Sequence, residues 1–255
     1  MKVSLLTKTI VFLLVFFVLS IIFIGASQTN MSSLKELFLD KEFIDSVFFS
    51  LKTSAIATLL SFLFGVPSGL YLSRSKSRIS CIIDAVFDIP LVVPPLIVGV
   101  LLLTFFNMSF IKYFYDFIFT TSGAVVAQFF VAFPLTVKAA KSTFDMVPDI
   151  YEMTAMTLGS KPFKSFYDTT FKIALPGILS GVLLTWLRSM GEFGATLMVG
   201  GGIPFKTENI PINIYINMTS GNFQKGVAAS VISIAIAFCF IIIIKVLFLN
   251  NKKSD

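Results

Sequence analysis

The residues of this chain equipped for chemistry are few, and most sit inside or beside apolar runs. Arg188 and Glu192 lie four positions apart in a long apolar stretch, a spacing that lets both side chains meet on one helix face. An arginine at the centre of a membrane helix costs about 2.5–3.5 kcal/mol on insertion scales and must face a partner or water. Asp84 and Asp88 repeat the spacing close to Arg74 and Arg78, which reads as a solvated or salt-bridged face rather than a proton relay. Histidine is absent, which removes the H-E-x-x-H proteases, haem ligation and histidine proton relays. Cys81 and Cys239 stand far apart in or beside apolar segments and read as small apolar fillers, not a disulfide. There is no Walker A glycine–lysine loop, so the chain has no ATP site of its own. No catalytic set and no metal set follow from these residues.

The elements that must position these residues are set by composition. The 255 residues are 56% hydrophobic and 13% charged, with a mean hydropathy of +0.90. A soluble domain is usually about a quarter charged. Apolar runs of ~20 residues are long enough to cross ~30 Å of hydrocarbon, and helices satisfy the backbone there. The runs do not alternate as barrel strands would. The spacing predicts an all-α integral membrane protein with about six spans: 5–26, 53–72, 85–106, 117–137, 175–199 and 227–249. Residues 28–45 read as a loop with room for a short amphipathic helix. The alternating pattern of 210–218 reads as a strand. Pro90, Pro94 and Pro95 remove N–H donors from the third span, which either kinks it or frees carbonyls to line a cavity. Gly191 and Gly194 permit either close helix packing or a hinge.

Six spans put both termini on one side. Thirteen of the 20 basic residues then share that side, among them Lys8, Arg74, Lys76, Arg78, Lys138, Lys141, Lys161, Lys164 and Lys172, with Lys2, Lys245, Lys252 and Lys253 at the ends. Six lie opposite, and Arg188 is left within the membrane. The positive-inside rule makes the richer side, with both termini, cytosolic. The one long polar loop there, 138–174, is where a soluble partner could grip. Pro148–Asp149 reads as a helix start with Asp149 and Glu152 in a favourable first turn. Tyr151 to Leu158 makes two turns, Gly159 stops them, and Lys161–Pro162 starts a second short helix.

Within this loop Glu152, Ala155, Leu158 and Gly159 resemble the coupling motif of type I ABC importer permeases. Thr154 replaces the motif's second alanine. Thr170-Phe171-Lys172 stands where an apolar-Leu-Pro ending belongs, with Leu175–Pro176 four residues later. The stretch from Asp88 to Pro95 with Gly99 resembles the third helix of oxyanion permeases. The strings Arg188 to Thr196, Gly201-Gly202-Ile203-Pro204 and Ile210-Pro211-Ile212 are most similar to molybdate permeases, with sulfate and tungstate permeases close by. For 210–218 the resemblance implies a helix rather than a strand.

The resemblance implies a permease subunit that exchanges access to a tetrahedral oxyanion between the two sides of a bacterial-type cytoplasmic (inner) membrane. It implies a second copy of the chain, two cytosolic ABC ATPase subunits that use the ATP, and an extracytoplasmic solute-binding protein, with no nucleic acid and no cofactor on this chain. It assigns Tyr151, Glu152, Ala155, Leu158, Gly159 and Ser160 to the ATPase-coupling loop. Pro94, Pro95, Arg188, Gly191, Glu192 and Gly194 fall to the translocation path, where Arg188 either lends its positive field to the anion or pairs with Glu192. The domain reading is 1–46 for a first helix and external loop, 47–250 for the permease core and 251–255 for a cytosolic tail. Alternatives from other classes are a passive anion channel and a membrane-embedded enzyme.

Overall fold

The computed structural model describes residues 5–251. Lys2, Lys252, Lys253 and the tail beyond Asn251 lie outside the described residues, as does the side chain of Lys245. In chain order the helices are α1 (Leu5–Ser27), α2 (Met31–Leu39), α3 (Lys41–Arg74), α4 (Arg78–Val92), α5 (Pro95–Phe106), α6 (Ser109–Phe114) and α7 (Thr121–Asp145). They continue as α8 (Ile150–Thr157), α9 (Pro162–Phe166), a π-helical turn (Tyr167–Phe171), α10 (Lys172–Met190), α11 (Gly194–Gly200), α12 (Ile210–Thr219) and α13 (Phe223–Asn251). There is no strand among the described residues. Among the described residues five helices are long and apolar enough to cross a membrane, and six spans result if the bent pair α4–α5 counts as one. The all-helical class and the number of spans are as expected.

Three boundaries differ from the sequence reading. The second span starts at Lys41 instead of Thr53, because Asp40 caps it, accepting from Glu42 N–H at 3.0 Å. The third span is kinked, as its prolines suggested, and so sharply that it becomes two helices: α4 and α5 meet at 110°. Val93 and Pro94 each precede a proline, which pushes both out of the helical region, and their ψ angles are 131° and 133°. Pro90, by contrast, is carried within α4. The fifth span runs from Pro162 to Met190, and α11 is a separate helix after the break at Gly191. Arg188 therefore stands in the last turn of α10, roughly 39 Å along the helical path from Pro162 at ~1.5 Å per residue, and not at its middle.

The chain divides into two units. One holds residues 1–45 and 210–255, where α13 packs against α1, α2 and α12 and Lys225 pairs with Asp40. In it the 210–218 stretch is a helix, not the strand suggested by alternation. Ile210, Ile212, Asn213 and Asn217 are buried, and Asn217 Nδ2 donates to the Asn213 carbonyl at 2.9 Å.

The other unit, 46–209, is built on α7. Small residues let neighbouring backbones come close to it. A Cβ on Gly69 of α3 would sit 2.6 Å from Ala140 Cβ and 2.8 Å from Lys141 N, and one on Gly177 of α10 2.6 Å from Thr143 Oγ1. Thr136 and Thr185 hydroxyls bond between α7 and α10 at 2.7 Å. Two apolar clusters flank this contact. One gathers Val66, Phe144, Ala174 and Ile178; the other gathers Val98, Val131, Ala195 and Val199. Cys81 and, in the first unit, Cys239 are free and exposed.

The crossing of α3 and α7 makes Gly69→Val destabilising. Overpacking of this kind costs about 1–3 kcal/mol. Thermal loss of monodispersity of the purified chain should fall to lower temperature for Gly69→Val. Gly25→Val, whose Cβ meets nothing within 4 Å, should match the parent. Equal behaviour of the two variants would count against the close crossing.

Candidate functional site

The polar loop folds as a small knob. Asp149 stands at the N-cap of α8 but makes no side-chain cap; its carboxylate pairs with Arg74, the last residue of α3. Glu152, in the first turn of α8, pairs with the same arginine through its Oε1, and the Thr170 hydroxyl donates to that oxygen. Ser165 Oγ donates to the Glu152 carbonyl at 2.7 Å. The far end of α8 is closed by a Schellman pair: Ser160 N–H donates to the Ala155 carbonyl and Gly159 N–H to the Met156 carbonyl, both at 3.0 Å. Gly159 has φ +88°, a region that L side chains enter only at a cost. Lys161 is extended ahead of Pro162, which takes the first position of α9. Both the positive-φ role of Gly159 and the restart at Pro162 are as read from the sequence.

Apolar side chains of the knob face outward. Leu158 is 84% exposed and Phe163 80%, with Ile150, Tyr151, Met153 and Met156 also exposed. Ala155 and Ser160 are half-buried, and α8 contains no buried residue. The Thr170-Phe171-Lys172 departure falls at the π-helical turn, where one extra residue is taken up before α10 begins. Leu175 and Pro176 lie inside α10. Tyr167 stacks on Phe171, and Phe166 packs against Phe144.

A second group forms at the breaks. Arg188 Nη1 and Glu192 Oε2 are 2.5 Å apart. Glu192 is 1% exposed, and its Oε1 accepts from Ala195 N–H at 3.0 Å, so it opens α11 while neutralising Arg188. Asn209 Nδ2 donates to the Glu192 carbonyl at 2.6 Å. Gly194 lies against the start of α5: its Cβ would be 2.8 Å from Leu96 N. A Cβ on Gly99 would meet Ala195 Cα at the same distance. Pro94 and Pro95 are thus brought beside Gly194. Gly191 is the C-cap of α10 and has only the Leu187 carbonyl nearby, so helix packing explains Gly194 and not Gly191.

Asp84 and Asp88 are salt-bridged, but to lysines of α7 and not to Arg74 or Arg78. Lys138 Nζ reaches Asp84 at 2.8 Å and Asp88 at 2.9 Å, and Lys141 reaches Asp84 at 2.6 Å. These pairings and the Arg74 contacts were not legible in the sequence. The only signal was charge, and the partners are brought together by helix packing.

Residues 62–253 match the family described as binding-protein-dependent transport system inner membrane component. The chain is 36% identical over 206 residues to ModB, the molybdenum transport system permease protein of Escherichia coli (strain K12), covering 78% of this chain and 90% of that one. It is 33% identical over 189 residues to WtpB, the molybdate/tungstate transport system permease protein of Pyrococcus abyssi, covering 74% and 73%. Its fold is similar to a bacterial ABC transporter involved in the import of the acidic polysaccharide alginate, with TM-score 0.67 and 16% identity, covering 96% of this chain and 92% of that one.

The pair at the break is unequal. Arg188 keeps 35% of its side-chain surface, Glu192 1%. Arg188→Gln leaves a buried carboxylate uncompensated, which costs ~3–5 kcal/mol. Glu192→Gln keeps an acceptor for Ala195 N–H and leaves an arginine that can turn to water. Thermal melting should therefore drop more for Arg188→Gln than for Glu192→Gln, and the double variant should recover part of the loss. The reverse order would show that Arg188, not Glu192, is the group that needs the pair.

Proposed function

The chain belongs to the family of binding-protein-dependent transport system inner membrane components, and from that premise we propose that it is the permease subunit of an ATP-driven oxyanion importer, with molybdate as the substrate. The observation that carries the reading is the knob. A short helix with exposed apolar side chains is closed by a positive-φ glycine and tied to the membrane helices through the carboxylates of Asp149 and Glu152. An exposed apolar patch on a polar loop suits a protein partner, here one of two cytosolic ATPase subunits. ATP binding draws the ATPases together, the two knobs of a permease dimer move, and two packings of the helices exchange access between the sides. The chain itself contributes no phosphate loop, so hydrolysis falls to the partner. The excess of basic residues on the knob side puts that side, and both termini, in the cytosol of a bacterial-type inner membrane.

Substrate choice rests on the relatives, which are named for molybdenum and for molybdate/tungstate transport. Arg188 is committed to Glu192 in this state, so its field reaches an anion only when the pair loosens. Such a path discriminates poorly among tetrahedral dianions. The extracytoplasmic binding protein makes the selection, by enclosing the anion in a fitted shell of donors.

Two measurements check this function. With the ATPases and the cognate binding protein in proteoliposomes, ATP-dependent molybdate uptake at low anion concentration should be inhibited by tungstate and resist excess sulfate. Sulfate outcompeting molybdate would move the assignment to the sulfate branch. For topology, single cysteines at Ser32 and Lys206, in a background lacking Cys81 and Cys239, should react with impermeant reagent in intact cells. One at Thr157 should react only after lysis, and labelling of Thr157→Cys from outside would reject the orientation.

A further inference from the structure

Resting on the permease reading, we propose that Arg74 is a further coupling residue, outside the loop itself. It ties the knob to membrane helix α3, so that movement of α8 reaches the membrane by two routes and not only along the chain into α10.

The argument starts from how α8 is held. It buries none of its own residues, and its large apolar side chains face outward. By contrast, the following segment is anchored by packing: Phe166 and Phe171 lie against the cluster of Phe144, Ala174 and Ile178. Much of the hold on α8 is therefore polar, and it centres on Glu152. Its Oε1 takes the Thr170 hydroxyl from the π-helical turn and the Arg74 guanidinium from α3. Its backbone carbonyl takes Ser165 Oγ.

Arg74 reaches two carboxylates with separate nitrogens, Nη1 to Asp149 and Nη2 to Glu152. It grips the cap and the first turn of α8 together. A guanidinium has the fork for this; an ammonium offers a point charge. The cation is also well placed at the C-terminal end of α3, where the helix dipole favours it.

What Arg74 is attached to matters equally. The same helix carries Gly65 and Gly69 against α7, with a Cβ on Gly65 3.0 Å from Thr136 Cγ2. An interface with no spare volume transmits a displacement instead of absorbing it. The route through Thr170 differs, because it enters α10 at a π-helical turn, the kind of site where a helix is less regular. One carboxylate thus feeds a stiff route, Arg74 to α3 to α7, and a yielding one, Thr170 to α10.

Two readouts test this. Hydrogen exchange on the purified full-length chain needs no ATPase, and Arg74→Gln should speed exchange of the α8 amides about threefold or more. In proteoliposomes holding the full complex, Arg74→Gln should lower the oxyanion moved per ATP hydrolysed by about tenfold, equivalent to ~1.4 kcal/mol. Arg74→Lys should recover only part of it. Arg74→Gln should assemble with the ATPases in parental yield, which guards against reading a folding defect as uncoupling. Parental exchange for Arg74→Gln, a parental transport ratio despite faster exchange, or a lower ratio that only follows loss of assembly each overturns the proposal. Failure of the unaltered complex to move any oxyanion would sink the permease reading, and the coupling role with it. A normal unaltered complex with a normal Arg74→Gln sinks the coupling role alone.

Discussion

The unit of residues 46–209 depends on how closely backbones approach α7. In lipid there is little hydrophobic drive between helices, and association relies on van der Waals packing, which small residues allow. Gly69 on α3 and Gly177 on α10 meet α7 where a Cβ would fall within 2.6 Å of its side chains. These contacts set α7 as the member against which the others are placed. The lysines of its C-terminal half then meet Asp84 and Asp88, and its N-terminal half meets α11 through Val131, Ala195 and Val199. Close packing fixes the frame, and the charged groups take partners that the frame brings within reach.

The breaks are the counterpart of that rigidity. Pro94 and Pro95 turn the chain through 110° between α4 and α5, and Gly191 with the Glu192 cap separates α10 from α11. Both interruptions lie in one neighbourhood, since Gly194 rests on the start of α5. Irregular backbone at membrane depth is tolerated where protein buries it or a cavity solvates it. Here the Glu192 carboxylate and the Asn209 amide bind backbone groups that the break exposes.

Class, span count and knob were legible in the sequence because they rest on local signals. Apolar run length reports spans, and a glycine after two helical turns reports a cap, which Gly159 fills with φ +88°. Misreadings arose where a local signal was outweighed or incomplete. The prolines of the third span signalled a kink, and the bend falls at the consecutive pair Pro94–Pro95, while Pro90 is carried within α4. Alternation at 210–218 suggested a strand, but the segment is the helix α12, in which Ile212 and Asn213 are buried side by side and Asn217 bonds back to Asn213. Run length carries 175–199 through without a stop, whereas α10 ends at Met190 and α11 starts at Gly194. The partners of Glu152 were out of reach of spacing: Arg74 lies 78 positions away. Sequence proximity instead sets that arginine beside Asp84 and Asp88, which pair with Lys138 and Lys141.

The size of the Arg74 contacts decides what they can do. Reversing a two-state population from 1:99 to 99:1 takes about 5.5 kcal/mol. Partly exposed ion pairs contribute about 0–1 kcal/mol each, and Arg74 retains 34% of its side-chain surface. The two pairs cannot drive a change of access. What they can do is keep α8 and α3 from separating while a larger force acts on the knob, because a link need only outlast the alternative of α8 moving by itself. That alternative is cheap, since α8 buries no residue of its own. A weak pair placed where little else holds governs where an imposed displacement goes, whereas the same pair inside the α7 frame would change almost nothing.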